Sequence, residues 1–267
     1  MTPEQLAAAG VTLDIAESLA TVSLNRPEVR NAQTPAMWRA LAEIGETLPP
    51  EVRVVVVRGN GHSFSAGLDR AMLTPGAAEG AESVADLLAK TDAEISEVID
   101  EYQKGFTWLR DPSFISIAAV QGYAIGAGFQ LALSCDLRVV SEDAQFSMKE
   151  SALGLVPDLT GTKPLVESVG YSRALEICAT ARMVGSVEAV DIGLALTAVP
   201  AEGLDAAVAD LVSALTAPMP GAVTEIKRLM QSAPSHDLDE QRRLEREAQA
   251  RRFRELAPLM GVEPAER

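Results

Sequence analysis

Cysteine and histidine are scarce in this chain of 267 residues: Cys135, Cys178, His62 and His236 are all it has. Two cysteines cannot build a disulfide scaffold. Both lie in apolar stretches, 131–140 and 174–182, where a thiol packs as a small inert hydrophobe. The four side chains are too far apart in sequence for zinc-ligand spacing, so no metal site is expected. Basic residues are also few. Lys and Arg number 23 against 38 Asp and Glu, for a net charge of −15. Nucleic acid and anionic membrane surfaces both select for a basic patch, so neither is an expected partner. An anionic substrate must then be met by a few local cations. Long apolar runs are missing: the longest falls well short of the ~20 residues that a membrane span needs. No basic segment leads into an apolar core near the start, so no signal peptide is expected and a cytoplasmic location is. There is no internal repeat. Neither G-x-G-x-x-G nor a strand-linked G-x-x-x-x-G-K-[ST] occurs, which leaves nucleotide phosphate cradles unsupported.

What is present is an ordinary globular balance, 47% hydrophobic and 23% charged. A chain this long buries roughly three quarters of its unfolded surface and needs no staple to fold. Residues 11–24 read as two short strands about a turn. Residues 35–48 read as a helix, with Pro35 at its start and Met37, Leu41, Ile44 and Leu48 at helical spacing. The run Val54–Val57 is a continuous apolar strand of the kind buried on both faces. Strand, helix, strand in that order predicts a right-handed crossover with parallel pairing. A Gly/Ala-rich stretch, 71–83, is expected to be mobile, and a long helix to follow over 84–110. Further strands are read at 115–120 and 137–140, with a helix between them. From 171 onward the pattern is wholly helical, ending in a charged run, 237–256, of mixed sign at i,i+3 and i,i+4 spacing, a solvated helix face or a subunit contact. The expectation is an α/β chain divided into a core, 1–195, and a helical C-terminal region, 196–267.

Two short Gly/Ala turns follow buried strands: Phe64–Asp69 and Ala124–Gly128. Small residues let main-chain N–H groups approach a ligand, and a turn that opens a helix points free N–H groups outward. Two such turns side by side can form an oxyanion hole. They can equally serve tight helix–strand packing. A third segment, Phe146–Asp158, carries Glu150 and Asp158 with Gly154 and Pro157 between them. Those two residues forbid one continuous helix, so both carboxylates can face one pocket across a turn. Glu150 has Met148, Ala152 and Leu153 around it, an apolar setting that raises a carboxyl pKa and suits a proton-transfer base. Asp158 on its own reads first as a helix N-cap for the segment that follows.

Taken together, Asn25–Ala32, Phe64–Asp69, Ile117–Gly128, Cys135–Arg138 and Gly154–Pro157 resemble the crotonase family, also called the enoyl-CoA hydratase/isomerase family, in order and spacing over about residues 10–235. The resemblance implies a spiral of ββα units with a helical C-terminal oligomerisation region that builds homotrimers or dimers of trimers. It also implies acyl-CoA thioester substrates, no cofactor besides the coenzyme A the substrate carries, and an enolate oxygen held by two peptide N–H groups. Those donors match the N–H groups of Leu68 and Ala127. Val29, Arg30, Ala32, Ala66, Asp69 and Gly126 match the substrate- and CoA-binding stretches. Arg30 is the candidate for a CoA phosphate contact, with an exposed loop arginine as the alternative, and Arg26 comes next.

The acid/base positions depart from the family's hydratases, which use two glutamates to hold a water. The second matches Glu150. The first matches Gln130, which neither takes nor gives a proton at neutral pH but still hydrogen-bonds a water or an acyl group. Asp158 stands where hydratases commonly have a small residue, and a Glu and an Asp at this spacing occur in the dienoyl-CoA isomerases of the family. Glu150, Asp158 and Gln130 are therefore the expected catalytic set, with an enoyl- or dienoyl-CoA isomerase preferred, a hydratase as the alternative, and a non-catalytic acyl-CoA binder as a third reading. His62 reads as a loop histidine, Trp38 and Trp108 as core or lid packing, and Lys149 as a solvated or paired lysine, with a contact to the thioester as the alternative.

Overall fold

The valines at 54–57 lie in the middle of the chain's main sheet, each essentially fully buried. β-Branched side chains fit a pleated surface covered on both faces. The structure, a computed structural model, describes residues 1–73 and 83–263. It opens with α1 (Pro3–Ala8), β1 (Val11–Ala16), β2 (Leu19–Leu24), α2 (Pro35–Thr47) and β3 (Val54–Gly59). Next come α3 (Val84–Leu88), α4 (Asp92–Thr107), β4 (Ile115–Val120), β5 (Tyr123–Ile125) and α5 (Ala127–Ser134). Then follow β6 (Leu137–Ser141), β7 (Gln145–Ser147), α6 (Thr162–Val169), α7 (Tyr171–Thr180), β8 (Val184–Gly185), α8 (Ser186–Asp191) and β9 (Thr197–Val199). Three helices close the chain: α9 (Leu204–Thr216), α10 (Pro220–Ser232) and α11 (Leu238–Leu256).

The main sheet has the order β1-β2-β3-β4-β6-β9, and a small second sheet the order β5-β7-β8. In the main sheet β1 and β2 are antiparallel, and every later pairing is parallel. The crossover from β2 through α2 to β3 is thus parallel, as the sequence pattern predicts. The chain steps between sheets: β4 lies in the main sheet and β5 in the small one, then β6 and β7 repeat the step before α6. This is the α/β arrangement of ββα units, with helices behind it.

Two elements differ from the sequence reading. The helix expected over 84–110 is broken at 89–91 into α3 and α4, and a 3-10 turn continues over Trp108–Arg110. Thr91 caps the second piece: its hydroxyl accepts from Glu94 N–H while the Glu94 carboxylate accepts from Thr91 N–H. This reciprocal pair starts a new helix inside a helical pattern. The segment after 171 is not wholly helical either. It supplies β8 to the small sheet and β9 to the edge of the main one. Both are too short for a period-2 pattern to stand out. Of the stretch expected to be mobile, 74–82 lies outside the described residues, and Arg70–Leu73 is a 3-10 turn.

The Cys135–Arg138 motif is structural. Cys135 is fully buried, which pushes its thiol up to about 12 and keeps it inert. Arg138 donates to the carbonyls of Ala132, Cys135 and Leu194 and so ties α5 to the segment before β9. Asp136 accepts from Ser116 N–H at 2.8 Å and from the ammonium of Lys227 at 2.7 Å. Lys227, on α10, also donates to the carbonyls of Asp111 and Phe114. That one buried cation fastens the C-terminal helices to the sheet. Leu204 and Val208 of α9 cover the sheet face formed by Val54, Val56, Ile117 and Val139. No single helix among the described residues is long and apolar enough to cross a membrane.

Candidate active site

The two Gly/Ala turns lie against each other. Ser65 and Ala124 form a parallel bridge, in which Ser65 N–H donates to Tyr123 O and Ile125 N–H to Ser65 O. Gly67 has φ +85°, and a Cβ there would stand 2.3 Å from Ile125 O and 3.4 Å from Ala127 N. Only glycine permits that approach. On its other side the first turn bridges to Gln33: Gln33 N–H donates to Gly67 O at 2.7 Å and Asp69 N–H to Gln33 O at 2.8 Å. The bonds of a parallel bridge are made by the neighbours of Leu68, so the Leu68 N–H itself points away from Gln33. Ala127 is the first residue of α5, where a main-chain N–H has no partner within its helix. Two peptide donors thus stand side by side, presented by turns that are fixed from behind.

The fixing is done by buried polar side chains. Ser65 Oγ accepts from Gly67 N–H and from Gln33 Nε2 and donates to Asn31 O. Gln33 Oε1 accepts from the indole N–H of Trp38. Asn31 donates to the carbonyls of Asn60 and Ser63. The sequence reading missed Asn31, Gln33 and Ser65 as site-supporting residues and took Trp38 for packing alone. Trp38 does pack, with its ring centroid 4.9 Å from that of Tyr102. No local pattern marks a polar residue that will be buried by distant partners.

Glu150 opens a 3-10 turn (Glu150–Leu153) that ends at Gly154 in the left-handed region. Its carboxylate lies over Gly126, where a Cβ would be 3.3 Å from Oε1. Gly126 has φ +53°, so its lack of a side chain serves both the turn and the carboxylate. Glu150 is 8% exposed. Oε1 accepts from Gln130 Nε2 at 2.7 Å, and Oε2 is buried with no hydrogen-bond partner among the described residues. Burial pushes the carboxyl above the ordinary carboxylate range, against the lowering effect of its own main-chain N–H and of Gln130, with a smaller upward push from the charge of Asp158. Burial raises Asp158 as well, opposed only by its own main-chain N–H. The structure therefore brings Glu150, Gln130, Gly126 and Ala127 together, with Asp158 close enough to act on Glu150 through its charge.

Asp158 is not a helix cap. The cap position of α6 is Gly161, and no side chain caps it. Lys149 does not face the two turns: its ammonium donates to Ala181 O. Arg26 is spent on structure, donating to Asp69 Oδ2 at 2.9 Å and to Ala32 O at 2.7 Å. Asp69 is thereby the partner of an arginine, and Ala32 is buried beneath it. Arg30 is exposed, in the left-handed region at φ +54°, with its guanidinium 5.7 Å from the centre of the Tyr123 ring. Val29 beside it is exposed, and Ala66 N–H donates to Arg30 O. His62 is an exposed loop residue. Gln103 of α4, which the sequence reading passed over, donates to Asp158 O at 2.6 Å.

A family model described as enoyl-CoA hydratase/isomerase matches residues 14–266. The chain belongs to that family. The match covers nearly all of this enoyl-CoA hydratase/isomerase family member and accords with the motif order in its sequence. The mitochondrial Delta(3,5)-Delta(2,4)-dienoyl-CoA isomerase of Rattus norvegicus is 35% identical over 225 residues, 82% of this chain and 67% of the relative. The (E)-benzylidenesuccinyl-CoA hydratase of Thauera aromatica is 32% identical over 187 residues, 69% of this chain and 67% of the relative. Among solved structures, a protein of Thermobifida fusca YX in complex with acetoacetyl-CoA is 52% identical, with a TM-score of 0.92 over 96% of this chain and 99% of that one.

Proposed function

We propose that this crotonase-family enzyme is an acyl-CoA double-bond isomerase acting on enoyl- or dienoyl-CoA thioesters. The observation that carries the reading is the bonding of Gln130. Its Oε1 accepts from the N–H groups of Leu159 and Gly161, which fixes the amide orientation and fills both lone pairs of that oxygen. Its Nε2 engages one oxygen of Glu150. Among the described residues, Glu150 Oε2 is then left as a bare carboxylate oxygen beside Gly126. Adding water requires a water held and polarised between two acceptors, and here the second acceptor is already occupied. Moving a double bond requires a proton taken at one carbon and returned at another.

In this reading Glu150 is the base. The Gln130 donor favours its charged form, and Asp158, raised by burial with only its own main-chain N–H opposing, is the acid. Glu150 takes a proton from the acyl chain, and the electron pair moves onto the thioester oxygen, held by the N–H groups of Leu68 and Ala127. Asp158 then protonates the far carbon as the pair returns. Glu150 leaves the cycle protonated and Asp158 ionised, and exchange with solvent restores both. Support for an acyl-CoA ligand comes from the acetoacetyl-CoA complex of the Thermobifida relative. Exposed Arg30 meets the CoA phosphates at the mouth, with Val29, Ala32, Ala66, Asp69 and Gly126 forming the wall and floor. A homotrimer or dimer of trimers assembled through 196–267 belongs to the same proposal. The Thauera relative's name favours a second reading, water addition. Purified protein offered a 2-enoyl-, a 3-enoyl- and a 3,5-dienoyl-CoA tests both. An isomerised product of unchanged mass is expected. A gain of one water from the 2-enoyl substrate overturns the isomerase reading, and binding of all three without turnover would make the chain a binder.

A further inference from the structure

We propose that Gln130 is the positioning residue that holds the two proton carriers in register, with one end of its amide on Glu150 and the other on the loop that carries Asp158. Gln130 is 1% exposed on α5. Nε2 reaches Glu150 Oε1 at 2.7 Å. Oε1 receives Leu159 N–H at 2.8 Å and Gly161 N–H at 3.2 Å. Leu159 is the residue directly after Asp158, and it is buried. The loop is tight: Thr160 has φ +69°, and a Cβ on Gly161 would stand 2.6 Å from Gln130 Cγ. Gln103 holds the same loop from α4 through Asp158 O. Because Ala127 opens α5, the oxyanion donor, the base and the returning acid all take their positions from one short helix. Among the described residues, Glu150 is bonded to Gln130 and interacts through charge with Asp158 and with the Cys178 thiol, which burial raises first and the Glu150 charge further, while Lys149 donates to Ala181 O.

This inference rests on the isomerase reading and extends it to a residue that carries no proton. Its signature is a partition. After Glu150 removes a proton, the intermediate either takes one back at the same carbon or receives one from Asp158 at the far carbon. In deuterium oxide the first route labels recovered substrate whenever the Glu150 carboxyl exchanges its proton for a solvent deuteron before the return, and the second gives isomerised product. Q130M keeps the volume and removes both ends of the clamp. We expect its kcat to fall about a hundredfold, the scale set by a misplacement of about 1 Å, with KM little changed. The ratio of labelled substrate to product is expected to rise, because the loss moves the returning acid more than the base. Q130E keeps an oxygen for both main-chain donors, so its ratio should stay near that of the unaltered protein. Its acid limb in kcat/KM should move to higher pH, because two carboxyls then share one proton. An unchanged ratio and kcat in Q130M overturn the inference. If Q130M does not fold, a raised ratio in Q130E overturns it, since that variant keeps the loop's acceptor. Absence of isomerised product from the unaltered protein overturns the isomerase reading instead. In the other case product still forms and the ratio fails to move.

Discussion

Trp38 donates its indole N–H to Gln33 Oε1 at 2.8 Å, and through Gln33 it reaches the serine that holds the first site turn. Replacing Gln33 with Leu strands the Trp38 donor in the core and takes from the Ser65 hydroxyl one of its two donors. A stranded buried group costs about 1–3 kcal/mol. The variant should therefore unfold at a lower urea concentration with an unchanged m-value. Its kcat should fall further than its affinity for CoA thioester, because the Gly67 turn that presents the Leu68 N–H loses its support.

Gly67→Ala attacks the same turn from the front. A side chain at φ +85° is strained, and its Cβ collides with Ile125 O. The two turns must move apart, which separates the peptide donors. Loss of one such donor costs about a hundred- to a thousandfold in kcat. Steady-state kinetics on the preferred thioester, with circular dichroism to verify folding, measure this directly.

Asp158→Asn should stabilise the fold at neutral pH while slowing turnover. The sign follows from linkage. Asp158 is raised in the folded state, so between its ordinary value and the raised one the folded chain binds more protons than the unfolded chain. Stability therefore falls as pH rises through that window and stays reduced above it. The asparagine does not titrate. The gain from D158N should be full above the raised value, shrink as pH falls through that window, and be gone below the usual carboxylate range. Paired urea melts across pH check it, and a constant difference would exclude the buried charge as the cause.

Lys227→Met should be costly although Lys227 contacts neither Glu150 nor Asp158. It would strand the Asp136 carboxylate and two carbonyls, of Asp111 and Phe114. Removing one partner of a buried ion pair costs about 3–5 kcal/mol. A large drop in Tm is the expected result, with KM for the thioester little changed in whatever fraction remains folded.

The sequence exposes those features whose causes are local. Val54–Val57 announces a strand buried on both faces, and Met37, Leu41 and Ile44 a helix face. Glu150 and the two turns were legible because motif order fixes them. β5, β8 and β9 were not, since strands of two or three residues carry no period. The break before α4 was marked by Thr91 and Glu94, whose spacing is a capping signature inside an otherwise continuous helical pattern. Asp158 taken alone misled, because a carboxylate after proline fits a cap; motif order pointed away from that reading, and the cap position of α6 is Gly161. The Asn31–Gln33–Ser65 network lay beyond reach, since its polar groups are satisfied across the fold.

Asp136 and Lys227 lie 91 residues apart, and that separation bears on how the chain is made. During synthesis β1 to β4 and β6 emerge and can pair long before Lys227 leaves the ribosome. Until it does, the Asp136 carboxylate sits at the start of β6 without its cation, and the Asp111 and Phe114 carbonyls lack their donor. The nascent sheet is thus held short of its final packing until α10 arrives. A nonsense mutation between codons 200 and 227 would release a chain with all of its described strands and an Asp136 carboxylate without its cation, a species suited to recognition by proteases rather than to catalysis.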